Sequence, residues 1–177
     1  GAKINRAEFL KIVMEAAGKK AEGQDCFKDV KDGWYAGYVC AAFKLKLVQG
    51  YNGGYFKPEQ DINFAEAAKI IVNTLGLEIP ATESENWYEQ YVVTLEGDSA
   101  IPASISSFDH RVTRGEMAEM IWRVKAKPSY VKAISYNTIE RKMAAADSDG
   151  ELQRFGSCVE LKDYLKANGI GTLIQWG

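Results

Sequence analysis

The chain has 177 residues, enough for one ordinary domain or a domain with a short appendage. Its 46% hydrophobic and 26% charged residues lie near the globular norm, which excludes wholesale disorder. A formal charge of −2 with scattered Lys and Arg argues against nucleic acid as a partner, and no run approaches the ~18 apolar residues that cross a bilayer, so no membrane insertion is expected.

The first residues, GAKINRAEFL, hold no long apolar stretch, so no signal peptide is read there, and Gly1-Ala2 has the look of a cleavage or cloning remnant. Asn5-Arg6-Ala7-Glu8 is a capping box: the cap side chain accepts from the N3 amide while the glutamate reaches back to the cap amide. It predicts a helix that stops at Gly18, since glycine takes the left-handed C′ conformation cheaply.

Next comes Trp34-Tyr35-Ala36-Gly37-Tyr38-Val39, in which Trp, the Tyr four residues on and the Val after it share a helical face. The helix is expected to run through Ala41, Ala42 and Phe43 toward Leu47. Val48 to Pro58 then breaks it with glycines and Asn52-Gly53, a hairpin-like loop in which Tyr55 and Phe56 form a short extended piece. A second capping box, Asn63-Phe64-Ala65-Glu66, opens a helix that ends at Gly76. Trp87-Tyr88-Glu89-Gln90-Tyr91-Val92 repeats the W-Y-x-x-Y-V pattern, and Thr113-Arg114-Gly115-Glu116 repeats the box.

The three boxes are each preceded by a β-branched apolar residue, Ile4, Ile62 or Val112. Seven and eight residues after the cap stand Ile12-Val13, Ile70-Ile71 and Met120-Ile121, one apolar stripe in every copy. The period is about 50 to 58 residues, so the chain is a repeat protein.

Beyond Pro128 the repeat ends. Ser129 to about Ala146 is predicted helical, Asp147 to Gly156 a loop, and Ser157-Cys158-Val159-Glu160 a further capping box whose helix ends at Asn168-Gly169. Ile170 to Trp176 is short and apolar, a strand or a packed end. Arg154 to Lys166 is similar to lead-ins before propeller-type domains in some secreted bacterial proteins, which would make this chain a piece of a longer surface protein.

Cys26, Cys40 and Cys158 make an odd count with neither C-x-x-C spacing nor a nearby histidine, so no zinc site is expected. Buried or unpaired thiols are the expected state, and one disulfide with a leftover thiol is the alternative in an oxidising compartment. His110 is alone, with no nucleophile pattern around it, and is read as a loop residue. Asp147-Ser148-Asp149-Gly150-Glu151 lacks ligands that a calcium loop needs and is read as a turn.

Taken together, Phe27-Lys28-Asp29-Val30, Trp34, Tyr38-Val39, Gly50-Tyr51, Gly54-Tyr55-Phe56-Lys57-Pro58 and Ile62-Asn63-Phe64-Ala65-Glu66 resemble the S-layer homology domain. The unit over 26–84 is near complete, that over 85–127 is divergent and lacks the G-x-F-x-P loop, and that over 1–25 has only its last helix. The resemblance implies a mostly α fold: helix-loop-helix repeats in a pseudo-threefold bundle over residues 1–127, with a helical C-terminal extension over 128–177. It also implies noncovalent tethering to an acidic secondary cell-wall polysaccharide, often bearing a pyruvate ketal, at the bacterial cell surface. No cofactor, metal or catalysis is implied.

The family's groove contacts, carried over by position, fall on Arg6 and Arg114 at N1 of the capped helices, on Trp34 and Trp87, and on Gly50 and Tyr51. An arginine at N1 adds a planar fork to free backbone amides and a positive helix end, a setting suited to a carboxylate. Phe64 takes the N1 place in the second unit, so the groove fed by that helix has lost its anion hook. The absent first-unit Trp helix and loop leave a second groove incomplete, so at most one or two competent sites are expected. For the two tryptophan rings, core packing is preferred over ligand contact. The helix near 130–146 is expected to pack where the absent first-unit helix would sit, in this molecule or by self-association with a second copy. Two other readings stand beside anchoring: a degenerate copy serving as a structural or protein–protein spacer, and, last, a wall-glycan hydrolase.

Overall fold

The computed structural model describes residues 1–81, 84–129 and 131–154, with side chains described up to Asp147. The chain divides into two units between Ile139 and Glu140. The described residues form helices α1 (Arg6–Ala16), α2 (Ala36–Lys44), α3 (Phe64–Leu75), α4 (Glu89–Gly97), α5 (Arg114–Ala126) and α6 (Tyr136–Arg154), and strands appear among them only as isolated bridges. The fold is therefore mostly α. None of these helices is long and apolar enough to cross a membrane.

All three capping boxes form as the spacing predicts. Asn5, Asn63 and Thr113 each accept from the N3 amide, and Glu8, Glu66 and Glu116 each return the bond to the cap amide. The apolar stripe behind each cap is buried apart from Ile12, which is half-buried: Phe9 and Val13 on α1, Ala67, Ile70 and Ile71 on α3, Met117, Met120 and Ile121 on α5. Gly76 closes α3 in the left-handed conformation, φ 69°.

The repeat closes on itself just ahead of the caps. The Ile62 amide donates to the Ile4 carbonyl at 3.1 Å, Val112 to Ile62 at 3.0 Å, and Ile4 to Val112 at 3.1 Å. Three fully buried β-branched residues thus form a cyclic set of backbone hydrogen bonds, the signature of a pseudo-threefold axis. The next turn follows the same rotation, with the amides of Arg6, Phe64 and Arg114 donating to the carbonyls of Gln60, His110 and Ala2. Around this centre α2 packs on α1 and α4 packs on α3, so the two tryptophan segments occupy equivalent places.

Three local expectations are corrected. Neither tryptophan lies on its helix: α2 and α4 start after Tyr35 and Tyr88, and Trp34 and Trp87 stand in the preceding turns. Each turn is held by a bond across three residues, the Ala36 amide donating to the Gly33 carbonyl and the Glu89 amide to the Asn86 carbonyl, and each indole meets the next tyrosine ring edge-on. Cys26 and Cys40 are joined in a disulfide, not held as thiols, because α2 runs back beside the residues that precede Phe27. Cys158 lies outside the described residues.

The third correction concerns the tail. The bridge between Pro102 and Ala133, with the Ile134 amide donating to Ile101, keeps that segment extended, and Ser135 then accepts from the Thr138 amide as a cap. So α6 starts at Tyr136 rather than at Ser129, and it continues through Arg154 where a loop was expected. The run Glu140 to Ala146 is rich in strong helix formers, and the single Gly150 costs only about 1 kcal/mol. The capping box at Ser157, the apolar end at 170–176 and most of the propeller-like lead-in lie outside the described residues.

The near-complete unit shows why its motif is written as it is. The Asp29 carboxylate accepts from the amides of Phe56 and Lys57 at 2.8 and 2.7 Å, tying the F-x-D-V turn to the G-x-F-x-P loop. Tyr51 and Tyr55 pair across the tip of that loop. Gly50 is needed by close approach: a Cβ there would stand 2.4 Å from the Phe27 ring and 2.8 Å from the Tyr55 carbonyl.

Candidate functional site

The first turn of α1, the 49–51 loop, the exposed side of α3 and Trp87 enclose a cavity of about 260 Å³. Arg6, Gly50, Tyr51 and Trp87 line it, four of the six residues carried over from the sequence resemblance. Glu66 and Lys69 complete its polar wall.

Arg6 is almost fully enclosed, at 5% exposure. Its Nε donates to the Phe56 carbonyl at 3.1 Å, and Nη1 lies 3.2 Å from Glu66 Oε1. The guanidinium carbon sits 4.8 and 4.7 Å from the ring centres of Tyr51 and Phe56, so cation–π attraction holds it on two sides. The backbone amides at this helix start are also engaged, Arg6 to Gln60 and Ala7 to Pro58. The expectation of free N1 amides awaiting an anion is therefore corrected: the neighbouring unit's carbonyls take them.

Glu66 joins the wall together. One oxygen serves the capping box, and the other receives Arg6 and the Tyr51 hydroxyl. Burial and that bond to Glu66 push the Tyr51 hydroxyl up to about 12, so it stays protonated and donating. Gln60 donates to the same hydroxyl oxygen at 3.1 Å.

Lys69 is the polar residue that the sequence reading passed over. Its ammonium donates to Gln49 Oε1 at 3.0 Å and sits 5.4 and 5.6 Å from the rings of Trp87 and Tyr91. Burial lowers its pKa below the ordinary lysine value. One signal was available: Lys69 and Lys11 hold the same place after Asn63 and Asn5, one turn past the capping glutamate.

Trp34 and Arg114 are not part of this cavity. They belong to a rotated copy of the same arrangement: Arg114 Nη2 pairs with Glu8, and Lys11 lies 5.7 and 5.9 Å from the Trp34 and Tyr38 rings. Unlike Arg6, Arg114 is half exposed. The expectation that both indoles pack in the core is corrected as well, since Trp34 is 55% and Trp87 50% exposed. Standing in turns outside their helices, the rings have one edge on a tyrosine and a lysine above.

At the third joint Phe64 is fully buried and Glu116 finds other partners. Ser104 donates to it at 2.7 Å, the Thr113 amide at 2.8 Å, and His110 Nε2 lies at 3.0 Å. Burial alone would raise the Glu116 carboxyl, but these hydrogen bonds outweigh it and bring the pKa down to about 2. His110 is in a loop, as read, and its ring bridges Ser106 and Glu116 there.

The sequence model of the S-layer homology domain matches residues 27–68. The chain is 32% identical over 124 residues to the Middle cell wall protein of Brevibacillus brevis, a match covering 67% of this chain and 12% of that protein. It is 36% identical over 81 residues to the Surface layer protein of Brevibacillus choshinensis, over 42% of this chain and 7% of the relative. A Surface-layer 125 kDa protein of Lysinibacillus sphaericus is 38% identical over 76 residues, again 42% of this chain and 6% of the relative. The chain thus spans about an eighth or less of the length of these relatives. On the matched motif and the identity to the Middle cell wall protein, this chain belongs to the S-layer homology domain family, with the domain matched over residues 27–68.

Proposed function

We propose that the chain is a noncovalent anchoring module that holds a bacterial surface protein to an acidic cell-wall polysaccharide, with the Arg6–Tyr51–Lys69–Trp87 cavity as its binding groove. The observation that carries this reading is the make-up of that wall. A half-exposed indole offers a flat apolar face to a sugar ring, while Arg6 and Lys69 stand against the single carboxylate of Glu66. The similarity to cell-wall and surface-layer proteins supports the same location, outside the cell at the wall.

Glycan cleavage is not favoured by this groove. Hydrolysis of a glycosidic bond uses two carboxyl groups ~5–9 Å apart. Among the residues lining the cavity Glu66 is the one carboxylate, and Arg6, Tyr51 and the Asn63 amide already occupy it. A spacer without glycan binding is the second reading, and the internal pairing of Arg6 with Glu66 favours it.

The test is sedimentation of the chain with purified wall polysaccharide, beside a Trp87→Ala variant. Anchoring predicts binding that the variant loses. A chain that stays in solution supports the spacer, and release of sugar from labelled polymer supports the hydrolase.

A further inference from the structure

We infer that Lys69, with Lys11 as its rotational counterpart, presents the positive charge that an acidic ligand meets, in place of the arginines at N1. The inference rests on the anchoring reading and assigns the charge-reading residue within it.

Charge accounting around the cavity leads there. Arg6 and Glu66 neutralise each other at 3.2 Å, and their side chains are 6% and 14% exposed. The net charge facing the cavity is then that of Lys69. Among the described residues its one hydrogen bond goes to Gln49, and an ammonium has three N–H donors, so two remain for a ligand. The rings of Trp87 and Tyr91 fix the position of the ammonium without cancelling its charge. A sugar laid on the open face of Trp87 would bring a carboxylate substituent within reach of it.

The same logic repeats at the neighbouring joint. Arg114 and Glu8 form the neutralised pair, and Lys11 lies over Trp34 and Tyr38; Lys11 also stands 3.9 Å from Glu15, an exposed i,i+4 pair that a ligand carboxylate can displace. The third copy breaks the pattern, because Glu119 holds the equivalent place after Thr113 and is paired with Arg123. Two lysine seats therefore follow, not three. Each suits a singly charged carboxylate on a pyranose, since a point charge needs no bidentate partner.

Burial of Lys69 adds a pH signature. The charged or titratable groups facing it are Arg6 from α1, Glu66 from α3, Tyr51 from the loop and Tyr91 from α4, while Gln49 and Trp87 complete its surroundings. Burial and the bond to Glu66 push Tyr51 up to about 12, so loss of ligand affinity on raising the pH toward the lysine range, measured in a Tyr91→Phe background, reports Lys69.

The experiment is calorimetric titration of the folded chain with a methyl glycoside carrying a 4,6-pyruvate ketal, beside the methyl ester of that ketal as neutral control. Two bound ligands per chain are expected, with the ester binding at least about tenfold more weakly. Lys69→Gln and Lys11→Gln should each bind one, and Lys69→Arg should keep both while losing the alkaline decline at that seat. Lys69→Gln and Lys11→Gln variants that bind like the parent overturn the inference and leave anchoring intact. A parent chain that binds neither the glycoside nor the wall polysaccharide overturns both.

Discussion

Arg6 of α1 and Glu66 of α3 meet at 3.2 Å across the joint between the first and second units, and Arg114 and Glu8 repeat the meeting at the next joint around the axis. The glutamates of two of the three capping boxes thus serve two masters: each closes its own helix and receives the N1 arginine of another unit. At the remaining joint N1 is Phe64, and Glu116 takes His110 and Ser104 instead. The arginine that looks like a ligand hook in one-dimensional sequence is first a fastener between repeats.

Removing that fastener should be costly where it is buried. Arg6→Ala leaves Glu66 enclosed without its cation, a change expected to cost about 3–5 kcal/mol. Arg114→Ala breaks a half-exposed pair and should cost about 0–1 kcal/mol. Urea denaturation of the two variants measures the contrast, and equal losses would mean that Arg6 is no better sequestered than Arg114.

Glu116 makes the fold sensitive to acid. Its carboxyl is depressed from an ordinary 4.5 to about 2 in the folded chain, so it contributes stability in full above pH 4.5. That contribution drains away as pH falls from 4.5 toward 2, where the folded group also protonates. The gap in urea midpoint between the parent and Glu116→Gln should shrink as the pH falls below 4.5. A gap that stays level down to pH 2 would show that the carboxylate is not what Ser104, His110 and the Thr113 amide hold.

The disulfide should matter to the second unit. Cys26 and Cys40 are separated by 14 residues, and closing a loop of that length stabilises by about 3 kcal/mol in the chain-entropy description. Cys26→Ser with Cys40→Ser, or reduction by dithiothreitol, is expected to lower the melting temperature by several degrees. Identical melts with and without reductant would show that the bridge contributes nothing.

What could be read from the sequence was what neighbours in the chain decide. The capping boxes, the left-handed Gly76 and, Ile12 apart, the buried stripe behind the caps depend on residues within a turn or two, and they stand as expected. What could not be read depends on the rotation between units. That rotation brings the carbonyls of Gln60 and Pro58 to the α1 amides and sets Arg6 against Glu66. It also lays Lys69, which alone reads as one more solvated helix lysine, over the rings of Trp87 and Tyr91. The Cys26–Cys40 pairing likewise turns on the direction in which α2 leaves its turn.

Gly50 tests whether the groove wall is built by fit. It needs no left-handed backbone, so its role is space: an added methyl would stand 2.4 Å from the Phe27 ring and 2.8 Å from the Tyr55 carbonyl. Phe27 is itself fixed against Phe43 and Phe56, and Tyr55 is paired with Tyr51, so neither can yield without moving the loop. Gly50→Ala should therefore destabilise by about 1–3 kcal/mol and displace the adjacent Tyr51 from Glu66, weakening any ligand in the cavity. Gly97→Ala is the matched control, at the end of α4 with nothing within 4 Å of the added carbon, and should be neutral or slightly stabilising. Thermal melts and ligand titrations of the pair separate a glycine that makes room from one that only ends a helix.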